Sequence, residues 1–198
     1  MNKSLETVLR ARELLLDVTP LKGDCGKICG RACCEVSDPD AGMILFPGEE
    51  TLYTGYKLVK MYGISGGEWP WWRCDGTCER RDRPLACRVA PLTPTIRNGA
   101  VSVEMDRGCA FCCPLVEFGV SALSEDFVES VRVAAFILAE DPACRAFVEN
   151  QTKHQDMMRA ILLSSIISPE RPAPDERTPF EPDHPDNVPA EEQRDIQQ

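Results

Sequence analysis

The sequence predicts an α+β protein: a small, irregular, metal-organised domain with a short β-hairpin or sheet, followed by a C-terminal antiparallel helical hairpin. Three observations predict it. Ten of the eleven cysteines fall between Cys25 and Cys113, in stretches with no hydrophobic periodicity. Asn98-Gly99, the dipeptide best suited to a type I′ turn, lies between two strand-like runs. Two helical patterns meet at Asp141-Pro142, an N-cap followed by proline at the first helical position.

In chain order, Leu5, Val8, Leu9, Leu15 and Leu16 recur near helical spacing, with Ser4 as N-cap and Pro20 beyond the end, which predicts a helix over 4–18. Residues 21–39 hold Gly23, Gly26, Gly30 and four cysteines and read as a loop shaped by something other than a core. Met43 to Phe46 and Lys57 to Tyr62 read as short strands, separated by a turn or short helix that Pro47-Gly48 opens and whose first turn takes Glu49-Glu50. Residues 63–94 read as irregular. Thr95-Ile96 and Ala100 to Met105 form the hairpin strands. Ser124 caps a helix carrying Phe127, Val128, Val131, Ala134, Ala135 and Leu138, and a second runs from Pro142 to about Ile166. The two are expected to pack through Phe127, Val131, Leu138, Phe147, Met158 and Leu162. The domain thus spans 1–167, with helix 4–18, a cysteine-rich core over 21–114 and a helical hairpin over 124–166. Residues 168–198, with seven prolines and nine acids against three arginines, are expected to be a disordered tail.

The formal charge of −10 opposes phosphate neutralisation and repels an anionic bilayer, so no nucleic acid and no membrane is expected as a partner, while a protein partner stays open. The charges of Glu6, Arg10, Arg12, Glu13 and Asp17 rule out the apolar core of a secretory signal, so the expected setting is cytoplasmic, with thiols kept reduced.

An odd number of cysteines in a long, reduced chain points to metal ligation rather than a disulfide framework. The candidate ligands form three groups: Cys25, Cys29, Cys33 and Cys34; Cys74, Cys78 and Cys87; Cys109, Cys112 and Cys113. Four-residue steps from Cys25 to Cys33 converge the sulfurs whether the backbone is a helical turn or a looser, glycine-bearing loop. Cys109-Ala-Phe-Cys112 has the gap of a metal knuckle, whose backbone N–H groups can point at the sulfurs. The two histidines, His154 and His184, lie outside these stretches, so ligation is by thiolate alone, which selects zinc, an Fe–S cluster or Cu(I). The preferred reading is an Fe–S cluster of the 4Fe–4S type, with Zn²⁺ as the other choice. Ten thiols allow one site with spares or two complete sites, and the choices within Cys33/Cys34 and Cys112/Cys113 stay open. Either centre is anionic, and Arg73, Arg80, Arg81, Arg83, Arg88, Arg97 and Arg107 are the available counter-charges. Cys144, alone on a helix, reads as a small buried hydrophobe. Trp69-Pro70-Trp71-Trp72 reads as packing, with shielding of the centre as the alternative, and His154 as a solvent-facing residue. No phosphate-cradling glycine motif or catalytic triad is present.

Cys25-x₃-Cys29-Gly-x₂-Cys33-Cys34, followed by Cys78-Glu-Arg-Arg-Asp-Arg83-Pro84-Leu-Ala-Cys87-Arg88-Val-Ala-Pro91, resembles the YkgJ-like cysteine-cluster family, described as a zinc- or iron-chelating domain. Arg83, Pro84, Cys87, Arg88 and Pro91 match its second motif in place. The aromatic residue usual after the first cysteine of that motif is absent, and the opening CxxxCxxCC has one extra residue before Cys33. The resemblance covers about residues 20–114 and implies a bound metal or Fe–S centre. The functions expected are electron transfer or redox sensing by an Fe–S protein, a zinc-stapled interaction module, or an Fe–S-dependent partner of a protein-modifying enzyme. Whether the chain is an enzyme is left open.

Overall fold

Helix α1, Lys3–Glu13, starts one residue before the expected position because Asn2 caps it, its side chain accepting Ser4 N at 3.1 Å. Ser4 is thereby free to donate its hydroxyl to Asp141 Oδ1 at 2.9 Å. The helix ends at Glu13, short of the expected Val18. Leu15 N and Leu16 N turn back to Arg12 O and Glu13 O, and the carbonyls of Leu15, Leu16 and Val18 are taken by the Arg80 guanidinium instead of by a further helical turn.

This computed structural model describes residues 2–23, 25–34, 42–60, 68–73, 76 and 79–167, the last three by backbone alone. The chain divides into two units, Met1–Ile161 and Leu162–Gln198. The described part of the second is the last turns of a helix; the expected tail over 168–198, with His184, lies outside the described residues.

Strands β1 (Met43–Ile44), β2 (Lys57–Lys60) and β3 (Glu68–Trp72) form an antiparallel sheet in the order β1-β3-β2, with Ile44 opposite Trp71 and Leu58 opposite Pro70. The central strand falls where irregular chain was expected. Trp-Pro-Trp-Trp carries no alternation, and a proline normally argues against a central strand. Pro70 still contributes its carbonyl, which accepts Leu45 N at 2.8 Å. A short helix, α3 (Leu85–Val89), likewise interrupts the stretch expected to be irregular.

Strands β4 (Leu92–Arg97) and β5 (Ala100–Met105) form the expected hairpin, and Asn98 and Gly99 hold φ of 52° and 79°, the two positive values a type I′ turn requires. β4 starts three residues earlier than expected, and its first five residues are buried. After α4 (Leu115–Phe118) comes α5 (Glu125–Glu140), which packs against α1 and against the hairpin. Val8 and Ala11 of α1 and Leu15 just beyond it meet the core formed by Phe127, Val131, Ala134 and Leu138, all fully buried.

Asp141 links α5 to α6 (Pro142–Ile167), its Oδ1 accepting Ala143 N and Cys144 N at 3.0 and 2.9 Å. The expected seam between these helices is redistributed. Phe147 packs between Phe46 and Trp69, with ring centroids 4.7 and 4.5 Å away, whereas Met158 and Leu162 are exposed. The first part of α6 therefore serves the sheets: Thr152 Oγ1 accepts Ile96 N at 3.1 Å, and Arg97 grips Asp156 with bonds of 2.7 and 3.0 Å while also pairing with Glu104.

The Arg97 hydrogen bonds hold Asp156 below its ordinary 3.8, so the native state releases this proton more readily than the unfolded chain. The resulting stabilisation is complete above 3.8 and fades as pH falls through the native value. Because both partners are partly exposed, Asp156→Asn should cost less than about 1 kcal/mol at pH 7, and the difference in urea midpoint from wild type should vanish in acid.

The result is a mixed helical and sheet architecture with small antiparallel sheets and C-terminal helices, as the α+β class predicts. Among the described residues, no helix is long and apolar enough to cross a membrane.

Candidate metal centre

The first group of thiols sits on one turn of helix followed by a left-handed break. Cys25 O accepts Ile28 N and Cys29 N at 3.0 and 3.4 Å, closing helix α2 (Gly26–Cys29). Gly30 and Arg31 then both adopt φ of 63°, a conformation that costs a non-glycine residue strain. A 3₁₀ turn over Ala32–Cys34 follows, with Cys34 N bonded to Arg31 O at 2.7 Å. The helical and the looser readings of this segment are thus both realised, in succession. The neighbouring sulfurs of Cys33 and Cys34 are 3.9 Å apart.

The last group sits on a second tight turn. Asp106 Oδ1 accepts Gly108 N at 2.8 Å and starts the 3₁₀ turn Arg107–Cys109. Cys109 O then accepts both Cys112 N at 3.0 Å and Cys113 N at 2.7 Å. These N–H groups close the turn on a carbonyl, and Cys112 Sγ donates to the same oxygen at 3.4 Å.

Cys87 belongs to α3, which a buried polar frame fixes in place. Glu49 is fully buried; one of its oxygens accepts Leu85 N at 2.8 Å, at the start of α3, and the other accepts Phe46 N at 3.1 Å. Arg12 Nη1 lies 3.4 Å from the same carboxylate. Burial pushes the Glu49 carboxyl above its ordinary range, against the pull of the two N–H donors and Arg12. Gly48, with φ of 88°, allows this approach: a Cβ there would stand 2.8 Å from Leu5 N on α1. Buried Arg88 donates to Arg12 O, Arg83 O and Arg81 O at 2.8, 3.0 and 2.5 Å, and Tyr53 donates its hydroxyl to Asp82 O at 2.7 Å. The carbonyls of 81–83, leading into α3, are all held by side chains.

These three pieces, distant in sequence, lie within electrostatic range of one another. Burial first, then the like charges of Cys113, Asp106, Cys29 and Cys34, push the Cys112 thiol up, so the first and last groups lie within electrostatic range of each other. Burial raises Cys109 as well, with repulsion from Asp106, Cys112, Cys113 and Cys87 adding to it, which places the Cys87 thiol in the same neighbourhood. The Cys33–Cys34 contact splits that pair. It raises Cys33 strongly and pulls Cys34 down to about 6, with Arg83 and Arg31 helping the latter. Cys33 is exposed and the other described candidates are half-buried, with no disulfide among the described residues. Cys74 and Cys78 lie outside the described residues. Also among the described residues, no three Cys, His, Asp or Glu side chains are already gathered at ion-holding geometry.

The arginines divide by role. Arg31 and Arg83 act on Cys34, whereas Arg80 takes carbonyls after α1, Arg88 braces α3 and Arg97 pairs with Glu104 and Asp156. Three of the seven expected counter-charges, Arg80, Arg88 and Arg97, are therefore engaged away from the sulfurs. Cys144 stands apart, fully buried, its thiol pushed up to about 12 by burial and the charge of Asp141. Trp69 belongs to the hydrophobic core. Sequence reasoning missed Glu49, whose only signal was its place after a glycine turn, and Arg31, a cation inside the first cysteine group.

Comparison with protein-family models gives no match, and neither the curated proteins nor the solved structures give one.

Proposed function

We propose that the chain holds a metal centre ligated by cysteine thiolates, an Fe–S cluster in the first instance, and serves electron transfer or redox sensing. The observation that supports this most directly is that thiols from three separate segments lie within electrostatic range: Cys112 of Cys29 and Cys34, and Cys109 of Cys87. A donor set made only of sulfur fits an Fe–S cluster or zinc and does not fit magnesium or calcium. The resemblance of the two cysteine motifs to the YkgJ-like family supports the same reading. Cys25, Cys29, Cys87, Cys109 and Cys112 would hold the centre, with Cys33, Cys34, Cys74, Cys78 and Cys113 as further donors. An Fe–S cluster would supply one-electron chemistry there; zinc would supply a rigid cross-link. The chain's own contribution is the frame of Glu49, Arg12 and Arg88, which fixes the helix carrying Cys87. Reduced thiols accord with a cytoplasmic setting.

A second reading, a zinc-stapled interaction module, draws on the apolar residues these turns display: Ile28 and Phe111 are 73 % and 90 % exposed. Metal analysis with absorption and EPR spectra, on protein purified without air, separates the two. Iron with a visible chromophore supports the first, stoichiometric zinc in colourless protein supports the second, and a metal-free chain overturns both. Cys29→Ser and Cys112→Ser should each lower metal content at least about twofold, since losing one thiolate opens a four-ligand site, whereas Cys144→Ser should leave it at the wild-type level.

A further inference from the structure

The adjacent cysteines Cys33 and Cys34 have a geometry that a four-thiolate centre does not require. On a 3₁₀ turn, neighbouring side chains diverge by about a third of a revolution, yet these two sulfurs are turned towards each other, 3.9 Å apart, and one of them is exposed. They are poorly placed to join each other directly. Adjacent Cα atoms across a trans peptide are about 3.8 Å apart, below the roughly 4.4–6.8 Å over which disulfides close without strain. A soft atom larger than sulfur, inserted between them, removes that conflict because the two sulfurs then need not approach bonding distance. Zinc, which takes four ligands, leaves such a pair half-used; a trivalent metalloid is satisfied by two or three sulfurs.

We propose that Cys33 and Cys34 form a dithiol site for trivalent arsenic compounds of the arsenous class. It rests on the reading of the cysteine region as a reduced, soft-ion centre, and it names a ligand class for one part of that region. The reaction is a condensation. Two S–As bonds form, the As–oxygen bond of an R–As=O species breaks, and the two thiol protons leave with that oxygen as water. Arsenic stays trivalent and no electron is transferred. The exposure of Cys33 gives the entering molecule access from solvent. Other thiols lie nearby: Cys29 is within electrostatic range of Cys33, and Cys112 of Cys34. Either is a candidate third sulfur for arsenous acid itself.

The test uses the full chain as purified without air and one equivalent of phenylarsine oxide, read by native mass spectrometry and peptide mapping, with metal content measured on the same preparation. One adduct of R–As minus two protons is expected per chain, mapped to the peptide containing Cys33 and Cys34 and released by 2,3-dimercaptopropanol. Cys33→Ser, at an exposed position, should weaken first-equivalent binding at least tenfold. Cys144→Ser should bind as wild type does. An adduct mapped to Cys109–Cys112, undiminished binding in Cys33→Ser, or no adduct at all overturns the proposal. Bound metal without the adduct overturns this proposal alone, and the adduct on a metal-free chain overturns the metal-centre reading alone.

Discussion

Replacing Glu49 with alanine is expected to destabilise the protein by about 3–5 kcal/mol, the largest effect of any single polar substitution outside the cysteines. The carboxylate is fully buried and satisfies three groups at once: Phe46 N two residues past β1, Leu85 N at the start of α3, and the Arg12 guanidinium from α1. Its removal leaves two buried N–H donors without their acceptor, at about 1–3 kcal/mol each, together with a guanidinium that has lost its counter-charge. Arg12 keeps its bond to Arg81 O at 3.2 Å and its place over the Tyr53 ring, so part of the frame survives. Urea unfolding followed by circular dichroism measures the loss. Glu49→Gln, which retains an acceptor oxygen, should lose less, and exposed Glu117→Ala should stay within about 0.5 kcal/mol of wild type. Equal midpoints for Glu49→Ala and wild type would remove the carboxylate from its structural role.

Chelation of the proposed metal under reducing conditions is expected to melt the cysteine-bearing turns while sparing the hydrophobic core. Structural zinc contributes on the order of 10–16 kcal/mol in small peptides, so its loss is large wherever nothing else holds the chain. The sequence alone suggested that the whole of 21–114 depends on the metal. The structure divides that segment. Leu85, Val89, Leu92 and Ile96 belong to the same core as Val8, Phe127 and Val131, and this core includes none of the candidate ligands. The turns over 25–34 and 107–118 have no fully buried residue and display Ile28, Phe111 and Phe118 to solvent. Hydrogen exchange should therefore rise by orders of magnitude at 25–34 and 107–113 after chelation, while the amides of α1, α5 and the β4–β5 hairpin keep their protection. Global unfolding would show that the metal stabilises the core as well, and unchanged exchange at the turns would show that the thiols carry no stabilising ion.

What the sequence revealed depended on whether a residue's role was local. The N-cap position of α5, the proline opening α6 and the Asn98-Gly99 turn are short-range signals, and the elements they mark are present. The clustering of cysteines is also visible in one dimension, and members of the three groups lie within electrostatic range of one another. Elements set by distant partners were hidden. Strand β3 is central because Leu45 and Lys57 to Lys60 pair with it, not because Trp-Pro-Trp-Trp favours extension. The end of α1 is set by Arg80, more than sixty residues away in sequence. Glu49 looked like an ordinary first-turn acid because its acceptors' partners, Leu85 N and Arg12, lie on other elements. The arginines were legible as a cationic surplus but not as carbonyl-binding braces, since a guanidinium offers five donors to whichever oxygens the fold brings near.

Arg88 follows Cys87 directly in the chain and reaches back to Arg12 O on the first helix. The residue next to that sulfur is thus tied, through one peptide link and one guanidinium, to the helix from which Leu9 projects into solvent.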